Sequence, residues 1–545
     1  MNEKRIISRV HGALIAALCV SLVSTMPARQ SSFSVVEATI AEMQAAMQQR
    51  RTTSRGLVQQ YLDRIAKYEP RLNAVMALNP RALDEADARD RERAQGKVRG
   101  PLHGIPIALK DNIHTTAMPT TGGALAFKGF VPPYDATIAT NLREAGAIVI
   151  AKTNMTELAN WIATGMPGNY NAIAGYGFNP YDARADPREG SNDGRPALNA
   201  GGSSSGAGTA ANFWAANVGT ETSGSILTPA NQTMLVGIKP TVGRVSRYGI
   251  IPITADQDTA GPMAKTVADA AALLGVLESR APDRQDPAPT ACPRVPNGDY
   301  TRFLNPKGLA GARLGLARSG FVDEARHGAV VSEAIALLRQ HGALVIDSVD
   351  IPPAPPVCRD EGGARGKDTD CSIVFKYGMK RDFNRWLASL GSRAPVKTLT
   401  ELREWNLAHR GEGAIKYGQA QLDISDDVDL ERDRVRYLAD RAADVRLTGA
   451  DGIDAAMKRH RLDAVVFVGS TGAAVAAKPG YPTVIVPFAL VPNTASPPFP
   501  TGFDAKPSPL GISFTGGACS EPRLIEIAYA FEQATKRRVA PGEFP

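Results

Sequence analysis

Apolar residues recur three or four positions apart across 34–50 and 54–68, with Val58, Leu62 and Ile65 on one stripe. That spacing predicts two helices, each buried by one face. A third, strongly charged helix is predicted over 80–95, opened by Asn79 as a cap and Pro80 in the first turn. Short apolar runs at 74–78, 105–109 and 147–151 read as strands, the second ending at Lys110. Helices are expected over 135–145 and 266–277. From Leu314 a second alternating segment begins, with a helix over 327–340 and a strand over 343–349. Helices dominate 372–459, strands return at 462–468 and 483–487, and a helix over 521–536 closes the chain with Ser520 as its cap. Short buried strands alternating with helices predict an α/β fold, with a large mixed, mostly parallel sheet covered by helices on both faces.

Composition adds little to the fold and more to the setting. The 545 residues are ample for a large core. The net charge of +7 comes from scattered Lys and Arg, with no dense basic block interleaved with aromatics, which argues against a nucleic-acid binder. Lys4, Arg5 and Arg9 precede an apolar run over 12–23, and small residues lead to Ala28. This reads as a secretory signal peptide over 1–28 and predicts a periplasmic or secreted protein; an uncleaved anchor is the alternative. Export would remove Cys19 and leave Cys292, Cys358, Cys371 and Cys519 in an oxidising compartment. Cys358 and Cys371 flank a short polar loop and are the best candidate disulfide, with free thiols as the alternative. No Cys or His spacing points to a metal site.

The candidate chemistry gathers between Gly201 and Ala230, where two glycine–serine clusters flank an alanine-rich segment long enough for a short helix. Glycine-rich loops expose backbone N–H groups that can hold an anion or a developing oxyanion. The second cluster, Thr222-Ser223-Gly224-Ser225, runs into Ile226 and Pro229 as a turn opening a helix would. A flexible turn is the simplest alternative. A phosphate loop lacks the Gly-Lys-Ser/Thr that should follow. A nucleophile elbow centred on Ser204 would need a strand before it, and 195–200 does not look like one.

Other stretches change the weight of these readings. Upstream stands GIPIALKDN (104–111 and Asn112), then KTNMTELA from Lys152; downstream stand VGIKPTVGR from Val236, QDTAGPM from Gln257, and SEPR from Ser520. In this order the chain resembles the amidase signature family of serine hydrolases, nearest its exported bacterial, peptide-amidase-like members. The resemblance runs from about Val36 to Leu277 and returns from about Ala464 to the end. It implies a single amidase domain over 29–545, with a core at about 33–280 and 460–545. A helical variable region at about 300–460 would shape the substrate pocket.

The resemblance also implies a Ser-Ser-Lys relay: Ser225 as nucleophile, Ser203 as the bridging serine and Lys110 as base. The N–H groups of Thr222, Ser223, Gly224 and Ser225 would form the oxyanion hole, and Thr121, Gly122 and Gly123 would line the substrate pocket. A lysine serves as base only when neutral, which burial at the end of an apolar strand can achieve. His103 and His114 bracket Lys110 and are alternative bases; a strand-end role is simpler for both. Ser203 and Ser225 stand about two residues closer than in the family pattern. Two helical residues turn through about 200°, so the loops flanking the intervening helix must absorb the difference.

The expected activity is hydrolysis of a carboxylic amide through an acyl-serine, without metal or organic cofactor. The substrate would be a small-molecule amide, a peptide C-terminal amide or an aryl or alkyl amide. No nucleic acid and no obligate protein partner are expected, and the chain would act as a monomer or homodimer. The rivals are a glutaminase subunit of an amidotransferase, a weak or inactive family member that binds ligand, and a periplasmic solute-binding protein.

Overall fold

The computed structural model describes residues 33–202, 205–278, 281, 283–286, 292–359 and 370–545. The expected leader, Cys19, Ser203 and Ser204 lie outside the described residues.

Two capped helices lead in. Ile40–Gln48 carries a capping box between Thr39 and Glu42, and Ser54–Leu72 starts at Thr53, whose side chain accepts from the Gly56 N–H. The second buries Leu57, Val58, Tyr61, Ile65, Tyr68 and Leu72, the helical stripe that the spacing predicts. The charged helix begins at Ala82, two residues late, because Asn79 accepts from the Arg81 N–H in a turn instead of capping.

The strands are β1 (Val75–Leu78), β2 (Pro106–Lys110), β3 (Ile148–Thr153), a small hairpin of β4 (Tyr170–Asn171) and β5 (Gly175–Tyr176), then β6 (Ala216–Glu221), β7 (Val236–Lys239), β8 (Thr259–Ala264), β9 (Arg313–Ala317), β10 (Leu344–Val349), β11 (Ala464–Val468), β12 (Thr483–Val491) and β13 (Ser508–Thr515). All but the hairpin join one 11-stranded sheet in the order β1-β3-β2-β6-β8-β7-β12-β13-β11-β9-β10. The sheet is mixed, as expected, but not mostly parallel. Parallel pairing is confined to β2 with β3 and β6, and to β9 with β10 and β11. The remaining neighbours are antiparallel. The reason lies in the connections. A helix links β6 to β7, but β8 slides in antiparallel between them, and β12 and β13 form a long hairpin with no crossover helix.

Between the serine clusters the alanine-rich segment is not one helix. Ala207–Ala210 makes a single turn, and the chain then enters β6. The segment from 300 to 460 also divides. β9 and β10 extend the edge of the main sheet, with Leu314 and Leu316 in the same core as Ile107 and Val149. Its helices Val374–Ser389 and Leu399–Ala408 form a second core with Phe127, Leu158, Trp161, Ile251 and Ile253. Cys358–Cys371 is bonded, and so is Cys292–Cys519, a pair 227 residues apart that spacing could not single out.

Candidate active site

β2 is buried along its whole length between β3 and β6, so its last residue, Lys110, ends fully buried. Its Nζ donates to Thr220 Oγ1 at 2.8 Å and to the Thr220 carbonyl at 3.3 Å. Asn112 Nδ2 donates to the same hydroxyl at 3.0 Å. Burial pushes the Lys110 ammonium down to about 7, against the opposing carboxylates of Asp258 and Glu221. A substantial neutral fraction at neutral pH is what a general base needs.

β6 runs parallel beside β2, with Leu109 opposite Val218, so both strands end on the same side of the sheet. There β6 gives way to Thr222-Ser223-Gly224-Ser225 and then to the helix Leu227–Gln232. Glu221 fixes the far side of this turn: its Oε2 accepts from the N–H groups of Ile226 (2.7 Å) and Leu227 (2.9 Å). The near side is held at Thr222, whose hydroxyl donates to Asp258 and whose carbonyl accepts from Gln257 Nε2 at 3.1 Å. Gly224 has φ +93°, which a side chain would strain. Ser225 is partly exposed and Ser223 exposed. Among the described residues no acceptor takes the N–H groups of Ser223, Gly224 or Ser225. Convergent N–H groups beside a partly exposed serine can stabilise an oxyanion.

The first cluster reaches the same place. Gly202 lies against the second: a Cβ built on it would sit 3.3 Å from Ser225 Cα and 2.8 Å from Pro229 Cδ. Thr156 Oγ1 donates to the Gly202 carbonyl at 3.0 Å, and Asn169 Nδ2 to that of Gly201 at 3.1 Å. The two clusters therefore touch despite their short spacing. The rotation argument falls because the intervening chain is a turn and a strand, not a helix. No strand leads directly into Ser204 among the described residues, β5 having ended at Tyr176, so the context of a nucleophile elbow is missing.

The histidines turn away. His114 Nε2 accepts from Trp386 Nε1 at 2.9 Å, and burial with the Lys152 charge pushes it down to about 3. His103 Nε2 meets the Arg89 carbonyl. Thr121, Gly122 and Gly123 are buried and tied to Asp111, the residue after Lys110. Thr121 donates to the Asp111 carboxylate through its N–H (3.1 Å) and its hydroxyl, and the Gly122 N–H donates to the Asp111 carbonyl at 3.2 Å.

Sequence reasoning gives Asp111 and Lys152 no role. They form a buried ion pair at 3.2 Å, and Lys152 also donates to Thr120 Oγ1 at 2.8 Å. The available signal is two lysines at the ends of neighbouring apolar runs, here offset by one residue, with Leu109 opposite Lys152. Glu221 escapes because its strand does not read as one. Asp258 stands within QDTAGPM, and the motif alone assigns it no task.

Comparisons with known proteins bear on the family of the chain. The Amidase family model matches residues 56–525. A protein named as a probable amidase from Arabidopsis thaliana is 35% identical over 535 residues, covering 97% of this chain and 96% of its own. The native peptide amidase from Stenotrophomonas maltophilia superimposes with a TM-score of 0.79 at 39% identity, over 93% of this chain and 98% of its own. A Glutamyl-tRNA(Gln) amidotransferase component from Cyanothece sp. (strain PCC 7425 / ATCC 29141) is 30% identical over 519 residues, covering 91% and 98%. The chain belongs to the amidase family and is a hydrolase of amide C–N bonds.

Proposed function

We propose that Ser225 attacks the substrate carbonyl while its hydroxyl proton passes through Ser203 to neutral Lys110. The tetrahedral oxyanion rests on the N–H groups of Thr222, Ser223, Gly224 and Ser225. The C–N bond breaks as the proton returns through Ser203 to the leaving nitrogen, leaving an acyl-Ser225 ester. Water then attacks the ester and gives up one proton along the same path; that proton returns to Ser225 as the carboxylic acid leaves and ionises to the carboxylate. The observation that carries this reading is the fully buried Lys110, pushed down to about 7, beside the strand that delivers Ser225. The place of Ser203 in it is supported by the resemblance and by the contact of Gly202 with Ser225. Thr121, Gly122 and Gly123 serve as a pocket wall anchored on Asp111.

The substrate is a small-molecule amide, and a peptide C-terminal amide is the class that the likeness to a peptide amidase favours. The enzyme acts as a monomer or homodimer, exported behind its N-terminal leader. Two disulfides among the described residues support an oxidising compartment. The segment from about 300 to 460 shapes the pocket. A second reading, a glutaminase subunit, draws on the 30% identical amidotransferase component.

The test is intact-mass analysis of the mature protein after a fluorophosphonate probe, with Ser225→Ala alongside. One adduct on the wild type, absent from the variant, supports Ser225. An adduct that survives the substitution, or none on folded protein, refutes it. Turnover of a peptide amide and of glutamine then separates the two readings.

A further inference from the structure

We infer that Asp258 is a positioning residue that sets the geometry of the nucleophile loop through the Thr222 hydroxyl; this rests on the Ser225 reading above. The turn 222–225 needs an anchor at each end. Glu221 supplies one, on the N–H groups that follow Ser225. At the other end a small cavity lies behind the turn, lined by Asn112, Thr220, Thr222, Arg247, Ile253 and Asp258. Thr222 borders that cavity, and hydrogen bonds from the 253–258 segment reach it there. The Asp258 carboxylate accepts from the Thr222 hydroxyl with one oxygen, and from the N–H groups of Ile253 (2.9 Å) and Thr254 (3.0 Å) with the other. Gln257 holds the Thr222 carbonyl from the same short segment.

This anchor is itself braced. The Ala255 N–H donates to Asp382 at 2.8 Å, Arg381 reaches Asp256 at 3.1 Å, and Tyr437 OH donates to Asp256 at 2.9 Å. The bracing groups stand on the helices Val374–Ser389 and Arg434–Val445, both from the variable region. That region grips the segment at Ala255 and Asp256, and the same segment grips Thr222 through Gln257 and Asp258, which links loop position across the site. Burial pushes the Asp258 carboxyl up to about 7, and the Thr222 hydrogen bond is the largest opposing influence, ahead of the Ile253 N–H.

The experiment measures the second-order rate of fluorophosphonate labelling at Ser225 in full-length mature protein. The variants are Thr222→Val, Thr222→Ser, Asp258→Asn, and Thr222→Val combined with Asp258→Asn. Each of Thr222→Val and Asp258→Asn should slow labelling by about 10- to 100-fold, and the double variant should be no slower than the worse single. Thr222→Ser keeps the hydroxyl and should label within about threefold of wild type, at an unchanged Tm. Additive losses, wild-type labelling by Thr222→Val, or failure of Thr222→Ser to restore the rate would overturn the proposal. Should Asp258→Asn not fold, the contrast of Thr222→Val with Thr222→Ser decides alone. If wild-type label does not map to Ser225, the underlying reading falls and this proposal with it. If it does and the variants label normally, only the role of Asp258 falls.

Discussion

Two lysines stand at the ends of neighbouring parallel strands, Lys110 last on β2 and Lys152 last but one on β3, both fully buried, and the fold treats them differently. Lys152, on β3, meets the Asp111 carboxylate at 3.2 Å and a threonine hydroxyl. Lys110, on β2, donates to the hydroxyl and carbonyl of Thr220. Burial lowers both ammonium groups, but beside Lys152 the carboxylate opposes it at contact distance, whereas Asp258 and Glu221 act on Lys110 only by their charge. Adjacent strands thus bury two lysines on opposite faces of one sheet, one against a carboxylate and the other hydrogen-bonded to a threonine, and the proposed mechanism uses the second as its base. Strand burial supplies the desolvation, and the choice of partner decides the chemistry.

The largest break in this comparison is Lys110→Met. It removes the proposed base and should lower kcat/KM for an amide substrate by about 1,000-fold. Because it also removes a buried ammonium, Tm should hold or rise. A large loss of Tm would mean that Lys110 is structural, like its neighbour. Next is Lys152→Met, which strands the Asp111 carboxylate in the core. It should cost about 3–5 kcal/mol in urea unfolding, while the protein that remains folded still labels at Ser225. Adding Asp111→Asn to Lys152→Met should recover part of that cost, because the uncompensated charge is gone. The smallest effect is in pH. Lys110 acts when neutral, so kcat/KM should fall about tenfold per pH unit below about 7. Lys152→Met should leave this limb in place.

Much of this was legible because the helical stripe at 54–72 and the apolar run before Lys110 follow simple periodicities. β6 escaped because a strand buried on both faces, beside close neighbours, can be built from Ala, Asn, Gly and Thr, which read as helix or loop. β8 and β13 hide in the same way behind Pro262, Pro509 and Gly511. Ser520 precedes the last helix, but its hydroxyl donates to the Gly517 carbonyl and makes no cap. Lys110 and the serine clusters stand out in the motifs; the carboxylates that brace the turn at 222–225, Glu221 and Asp258, needed the fold.

The most direct test of a neutral Lys110 activating Ser225 is the rate of fluorophosphonate labelling across about pH 5 to about pH 9, in the wild type and in Lys110→Met. The account predicts a rate that climbs about tenfold per pH unit and levels off above about 7, and a slow rate without that rise in the variant. A flat wild-type profile, or a Lys110→Met variant that labels as fast as the wild type, would contradict it.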